Sequence, residues 1–345
     1  MSKKKLIIGI IVLIMSLVIL VISFYYYSLN KTTKNNKEET FIVEAGANTE
    51  DILTDLQEKG FINSIPVALI YIKLNDIVLK AGSYELKYNM SMKEILRTLE
   101  IAGVQSTKIT FIEGRRLIHH LKTISEEFNL DLEDIKTTLA DVTYLKSLID
   151  RYWFLSEEIL NKEIYYPLEG YLFPDTYEFK NDITIKEIVE KMLDNTEVKL
   201  KIYKETIEEL PYTPHEILTM ASIIELEGNS KEDRKNIAGV IFNRLAANMN
   251  LGMDVTTYYA VNKEMGESLL KNELDTYNPY NTRSVTDMFG KLPVGPICNP
   301  SLMSIDAVLN PLENNYLYFY AELSLGKVHF ATTSSEFQEL IRKYS

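Results

Sequence analysis

Two carboxylates stand two residues apart in the segment ASIIELEG, Ala221 to Gly228, inside an otherwise apolar run. A helix packed into a core excludes unpaired charge, so Glu225 and Glu227 either reach water or are kept for chemistry. A carboxyl held protonated near neutral pH in such a place is what a general acid needs. Glu225 has the small Ala221 and Ser222 one turn behind it, which leaves room for a substrate, whereas Glu227 has Ile223 and Ile224 there. Spacing alone does not choose between the two, or between either and a solvated glutamate near a helix end.

The element that must hold them is announced upstream. Thr213, Pro214 and Glu216 satisfy three helix-start rules together: an N-cap, a proline at the first helical position and a closed capping box. The helix runs through ILTMASIIELE and is expected to stop at Gly228, a residue suited to the left-handed position after a helix. Both glutamates then lie in the last turn, where the backbone carbonyls and any apolar wall disfavour a charged carboxylate. A second amphipathic helix follows in SKEDRKNIAGVIFNRLAANM, with Ile237, Val240, Ile241 and Leu245 on one face.

Around these helices the chain is irregular. YYPLEGYLFPDTYEF, Tyr165 to Phe179, is aromatic and broken by two prolines and one glycine. Its rings fill a core between elements or offer faces to a sugar. LGMDVTTYYAV, NPYNTR (Asn278 to Arg283) and KLPVGPICNPSL (Lys291 to Leu302) are long loops of the kind that line sites or merely connect. The chain closes with a hairpin in YLYFYAELSLGKVHFA, its turn near Ser324 to Gly326, and a helix capped by Thr333 and Glu336.

At the other end, Leu6 to Phe24 contains no charge and follows three lysines, Lys3 to Lys5. At ~1.5 Å per residue it crosses a hydrocarbon core of roughly 30 Å. The lysines are expected in the cytoplasm and Tyr25, Tyr26 and Tyr27 at the outer interface, which puts the rest of the chain outside. NKTTKNNKEE, Asn30 to Glu39, has the composition of a tether. Phe41 to Val43 and AGSYELKY read as strands. A helix capped by Asn48 carries Ile52, Leu53 and Leu56 on one face and stops at Gly60, and a second begins at the Ser91–Glu94 capping box. STKITFIEG, Ser106 to Gly114, opens a new strand and turn. The expected fold is α+β: an anchor with its cytoplasmic tip at 1–28, a linker at 29–40, a small α+β module at 41–105 and a larger mixed α+β domain at 106–345.

Composition narrows the function classes. The net charge is −12, and −15 once the three leading lysines are set aside, which argues against nucleic acid. Cys298 is the single cysteine, so no intramolecular disulfide and no multi-cysteine metal site can form; a small buried apolar side chain is its default role. His119, His120, His215 and His329 show no paired metal-ligand spacing. No metal or organic cofactor is expected.

Seven stretches taken together resemble one family. EGYLFPDTY (Glu169 to Tyr177), ASIIELEG, FNRL (Phe242 to Leu245), YNTR, LPVGPICNPSL, AVLNP (Ala307 to Pro311) and YLYF (Tyr316 to Phe319) occur in the order found in the YceG-like proteins, the endolytic murein transglycosylases. The similarity runs from about Phe41 to the end. Val294 and Ser301 depart from the pattern, where that family has proline and often glycine, and the FGKLPV junction is spaced slightly differently. The resemblance implies a LysM-like module at 41–105 and a YceG-like catalytic domain at 106–345. It implies cleavage of peptidoglycan glycan strands between N-acetylmuramic acid and N-acetylglucosamine, leaving 1,6-anhydromuramic ends. It makes Glu225, which closes ASIIE, the catalytic acid. Glu169, Tyr171, Asp254, Tyr280, Asn281, Thr282 and Asn299 follow as substrate-binding candidates from motif membership and hydrogen-bonding capacity. The implied partners are glycan strands, the cytoplasmic membrane and peptidoglycan synthases.

One carboxyl can suffice in such a reaction, because the nucleophile, the muramic C6 hydroxyl, is part of the sugar itself. Hydrolysis of the same bond needs a second acidic residue, for which Asp254 is the candidate. A reading of another class is a wall-binding scaffold with no catalysis, in which Glu225→Gln would leave function intact.

Overall fold

The structure is a computed structural model of the chain, described for residues 3–101, 103, 106–181, 183–284, 287–322 and 325–344, with side chains from residue 9 onward. It is mixed α+β and divides into two units, 1–107 with 178–182, and 108–177 with 183–345. The expected boundary at Gln105 and the hairpin residue Ser324 lie outside the described residues.

The first unit opens with a long helix, α1 (Lys3–Asn30). From Ile10 to Ile22 its large apolar side chains are about half exposed or more, and Gly9–Asn30 is long and apolar enough to cross a membrane. This one N-terminal apolar helix is compatible with a single-pass anchor. The helix continues further than the composition of the expected linker suggests. Leu29 is 3% exposed in the core of the unit, and Tyr25 packs against the same cluster. Apolar partners there outweigh the polar character of the sequence around them.

Strand β1 (Glu38–Val43) pairs antiparallel with β2 (Gly82–Lys87), from Glu38 opposite Lys87 to Val43 opposite Gly82. Phe41 and Val43 face inward with Tyr84 and Leu86. Helices α2 (Thr49–Glu58), α3 (Ile65–Leu74) and α4 (Met92–Glu100) supply the rest of this core. Asn48 caps α2, and the reciprocal Ser91–Glu94 box starts α4, both as the sequence requires. Strand β3 (Ser106–Thr110) follows and pairs with β4 (Thr176–Lys180).

The second unit is mostly helical. Helices α5 (Leu117–Phe128), α6 (Leu132–Ala140) and α7 (Val142–Arg151) precede β4, and α8 (Ile185–Leu200) and α9 (Lys204–Glu209) follow it. Then comes α10 (Pro214–Glu227), apolar on every side through most of its length, which is the pattern of a helix enclosed by others. Helices α11 (Lys231–Ala246) and α14 (Leu302–Leu309) pack on it, as does the short α12 (Asp254–Ala260). After α13 (Lys271–Asp275) and the Pro-rich loop, β5 (Tyr318–Glu322) and β6 (Lys327–Ala331) form the expected hairpin. Helix α15 (Ser334–Tyr344) ends the chain, with Glu336 N–H donating to Thr333 Oγ1 at 3.2 Å.

Candidate active site

Helix α10 starts where the sequence puts it, with Thr213 and Glu216 in a reciprocal capping box. It also ends at Gly228, but for another reason. Gly228 has φ −99° and ψ 126°, an extended conformation open to any residue. What forbids a side chain is α11: a Cβ on Gly228 would lie 2.5 Å from Arg234 Cγ and 3.2 Å from its Cα. The glycine lets the Arg234 side chain run across the helix end, where Nε donates to Gly228 O at 3.1 Å.

That path delivers the Arg234 guanidinium to Glu225. Nη1 and Nη2 donate to Oε2 and Oε1 at 3.1 and 3.0 Å, a bidentate fork. Oε2 also accepts from Ser301 N at 2.9 Å, Ser301 Oγ at 2.5 Å and Ser304 Oγ at 2.7 Å. With 6% of its side chain exposed, Glu225 joins α10, α11 and the start of α14. Glu225 lines a cavity of about 420 Å³ with Gly114, Leu226 and Ile297, but Ala221 and Ser222 do not open onto it. Both are fully buried, and Ser222 Oγ accepts from Ile297 N at 3.0 Å. Both oxygens of Glu225, to which the resemblance gives the acid role, are thus engaged as acceptors by protein donors.

Glu227 is two residues on, roughly 200° around the helix, and meets the opposite environment. It lies half-buried in the wall of a pocket of about 620 Å³. Tyr318, Phe319 and Tyr320 of β5 and Phe337 of α15 line that pocket with Arg244, Asp254 and Arg283. The Glu227 carboxyl accepts no hydrogen bond from another described residue. Burial, reinforced by the Asp254 charge and opposed by Arg283, pushes it up to about 7. A carboxyl protonated near neutrality, facing aromatic rings, is equipped to protonate a sugar oxygen.

Three of the other candidates, Asp254, Asn281 and Thr282, belong to the elements beside this pocket. Asp254, the first residue of α12, is half exposed in it and ion-paired with Arg283. Asn281 and Thr282 are fully buried behind them. Asn281 Nδ2 donates to the carbonyls of Glu273, Leu274 and Thr276, and its Oδ1 accepts from Thr257 Oγ1 at 2.7 Å. Thr282 Oγ1 accepts from Met253 N at 3.0 Å and meets Thr256 Oγ1 at 2.8 Å. These bonds fasten the YNTR loop to α12 and so fix Arg283 against Asp254.

The other four side chains are closed to solvent at 0–1% exposure and have no surface to offer a glycan. Tyr171 stacks in the core with its hydroxyl 2.6 Å from His215 Nδ1, and Tyr280 packs on Tyr259 and Tyr165. Glu169 Oε1 accepts from Leu117 N at 2.7 Å and its Oε2 from Tyr259 Oη at 3.0 Å, and burial pushes its carboxyl up to about 8. Asn299 Oδ1 accepts from Gly170 N and its Nδ2 donates to Arg115 O. Gly170 sits at φ +83° with Pro296 Cβ 2.4 Å from where its own Cβ would be, so only glycine fits there.

Arg244, Arg283 and Tyr318 are the site residues not singled out from sequence, although each belongs to a motif quoted above: FNRL, YNTR and YLYF. Arg244 donates to Leu317 O at 2.5 Å and lies over the Tyr318 ring, its centre 5.2 Å from the centroid. Among the described residues, no three His, Cys, Asp or Glu side chains gather as a metal site.

Comparison with known proteins agrees with the motif reading. The YceG-like family profile matches residues 41–343. The endolytic murein transglycosylase of Bacillus subtilis strain 168 is 33% identical over 306 residues, covering 88% of this chain and 83% of that protein. Its namesake in Streptococcus pneumoniae strain ATCC BAA-255 / R6 is 32% identical over 313 residues, or 85% of this chain. The match takes in 56% of the pneumococcal protein, so the chain spans little more than half of it. A crystal structure of a yceG-like protein from Listeria monocytogenes aligns with a TM-score of 0.63 at 34% identity, covering 88% of this chain and 99% of that one. With nearly the whole chain after α1 inside the family profile, this protein belongs to the YceG-like family.

Proposed function

We propose that this protein is a membrane-anchored lytic transglycosylase that cuts peptidoglycan glycan strands between N-acetylmuramic acid and N-acetylglucosamine, with Glu227 as its acid. The observation that carries the reading is the Glu227 carboxyl, protonated up to about pH 7 and facing an aromatic pocket with no hydrogen-bond donor to it among the described residues. The names of its relatives supply the substrate class.

Glu227 gives its proton to the glycosidic oxygen as the C1–O bond breaks, and the bonding pair leaves with the N-acetylglucosamine oxygen. The muramic C6 oxygen then attacks C1, and its proton returns to the Glu227 carboxylate. No water is consumed, so the new end is a 1,6-anhydro sugar. The C6 hydroxyl sits within the reacting sugar, and this proximity replaces a second catalytic carboxylate. Asp254, paired with Arg283, keeps negative charge beside Glu227 and so favours its protonated form. Helix α1 holds the enzyme at the membrane with the catalytic unit outside. Residues 41–105, as a LysM-like module, hold the strand near the synthases that extrude it.

Mass spectrometry of glycan strands incubated with the full chain in detergent tests this. Anhydro ends, one water lighter than reducing ends, are expected. Reducing ends would make the enzyme a hydrolase with Asp254 in a catalytic role, and intact strands would make the protein a scaffold.

A further inference from the structure

A second cavity, of about 420 Å³, opens beside the same helix end. Leu226 and Val255 line it, whereas their neighbours Glu227 and Asp254 line the aromatic pocket. The last turn of α10 and the first turn of α12 are thus the partition between two adjacent spaces. The aromatic pocket suits sugar rings. The second cavity is walled by charge, from Glu113, Arg115 and Arg116 of the turn leading into α5, His119 of its first turn, and Glu225 and Glu264, the former held by Arg234.

Two of these charges are uncommitted. Arg115 and Glu113 make no side-chain hydrogen bond or ion pair with another described residue, whereas Arg116 is spent on Lys263 O and Asn262 Oδ1 and lies over Tyr259. Burial and the Glu225 charge raise the Glu113 carboxyl. His119 Nε2 is 3.0 Å from Glu264, and its buried Nδ1 has no partner. The turn that carries Glu113 and Arg115 is rigid. Gly114 N donates to Asn299 O at 2.9 Å, and Asn299 N donates to Arg115 O at 3.0 Å. A free guanidinium and a free carboxylate on one fixed turn are complementary to a ligand that carries both an anion and a cation. A polyanion would meet Glu113, Glu225 and Glu264, and a stripped glycan, whose muramic residues keep only a lactyl carboxylate, brings no cation for Glu113.

The geometry points to this cavity as the seat of the peptide stem borne by the strand, with a stem carboxylate on Arg115 and a stem amine on Glu113. This rests on the proposed glycan cleavage, since the stem hangs from C3 of the same muramic ring whose C1–O bond is cut and needs a place beside the aromatic pocket.

The test uses the full chain in lipid nanodiscs, wild type and Arg115→Ala, on strands with stems and on strands stripped of them by an amidase. Free stem tripeptide ending in a diamino acid is titrated into both proteins by calorimetry. Losing a charge-assisted pair predicts that the stem-bearing to stripped ratio of kcat/KM falls about tenfold, through KM, and that tripeptide affinity falls by a similar factor. An unchanged ratio, with equal tripeptide affinity in both proteins, overturns the assignment. If wild type cleaves neither strand the proposed activity fails, and the titration still decides the cavity.

Discussion

Glu225 and Glu227 leave the final turn of α10 in opposite directions, one into the fork of Arg234 and the hydroxyls of Ser301 and Ser304, the other into a pocket of aromatic rings. The first glutamate holds three elements together so that the second is presented from a fixed helix end. Two neighbouring carboxylates therefore have separable roles, and mutation can tell them apart.

Removing Glu225 strands a nearly buried guanidinium, since only 12% of the Arg234 side chain is exposed. Glu225→Ala should cost about 3–5 kcal/mol in urea unfolding, and adding Arg234→Met should recover much of it, because loss of one partner hurts more than loss of both. Equal stability of Glu225→Ala and wild type would remove the clamp from the account.

Gly228→Ala puts a Cβ where Arg234 Cγ stands, without any backbone penalty at φ −99°. We expect a loss of about 1–3 kcal/mol from overpacking, with lower activity because the Arg234 fork is displaced from Glu225. A neutral result would show that α11 moves away freely.

The pH dependence of stability has opposing parts. Glu169 and Glu227 titrate near 8 and 7 in the fold, against about 4.3 for an unperturbed glutamate. Between those limits the folded state binds more protons than the unfolded one, so their contribution to stability falls as pH rises. Burial pushes His120 down to about 4, so from there to about 6.5 it adds stability as pH rises. Above about 6.5 His120 adds nothing further, and the unfolding free energy should decline from pH 6.5 to 8.5 as the glutamates ionise, with the buried Cys298 thiol, pushed up by burial, acting in the same direction near the upper end. Glu169→Gln should flatten that decline in urea titrations at the two pH values; an unaltered slope would contradict the assignment.

Activity has its own pH signature. The rate should fall as Glu227 ionises near pH 7, and Asp254→Asn should move that limb to lower pH by removing a charge that favours the protonated form. A hydrolase using Asp254 would instead lose activity at every pH. Rates measured from pH 5 to 9 on the two proteins separate the cases.

Much of the frame was legible in the sequence. The start of α10 follows from Thr213, Pro214 and Glu216, which act locally, and the caps at Asn48, Ser91 and Thr333 are likewise local rules. The end of α10 at Gly228 was legible too, but its cause was not, since the obstacle is a side chain six residues on in another helix. The tether was read from polar composition, yet Leu29 packs into the core and β1 takes in Glu38 to Thr40, because a backbone ladder accepts polar side chains on its open face. The division of labour between the glutamates was out of reach. It depends on Arg234, Ser301 and Ser304 on one side and on Tyr318, Asp254 and Arg283 on the other, groups that only tertiary packing brings together. The small residues behind Glu225 suggested space, but the loop at Ile297 and Cys298 covers Ser222, and the open space beside Glu225 lies toward Gly114 and Leu226.

We assign the acid to Glu227 and not to Glu225. The direct measurement compares anhydro-end formation by wild type, Glu227→Gln and Glu225→Gln at equal folded concentration, with folding checked by circular dichroism. We expect no product from Glu227→Gln and measurable product from Glu225→Gln. Cleavage at the wild-type rate by Glu227→Gln would contradict this assignment.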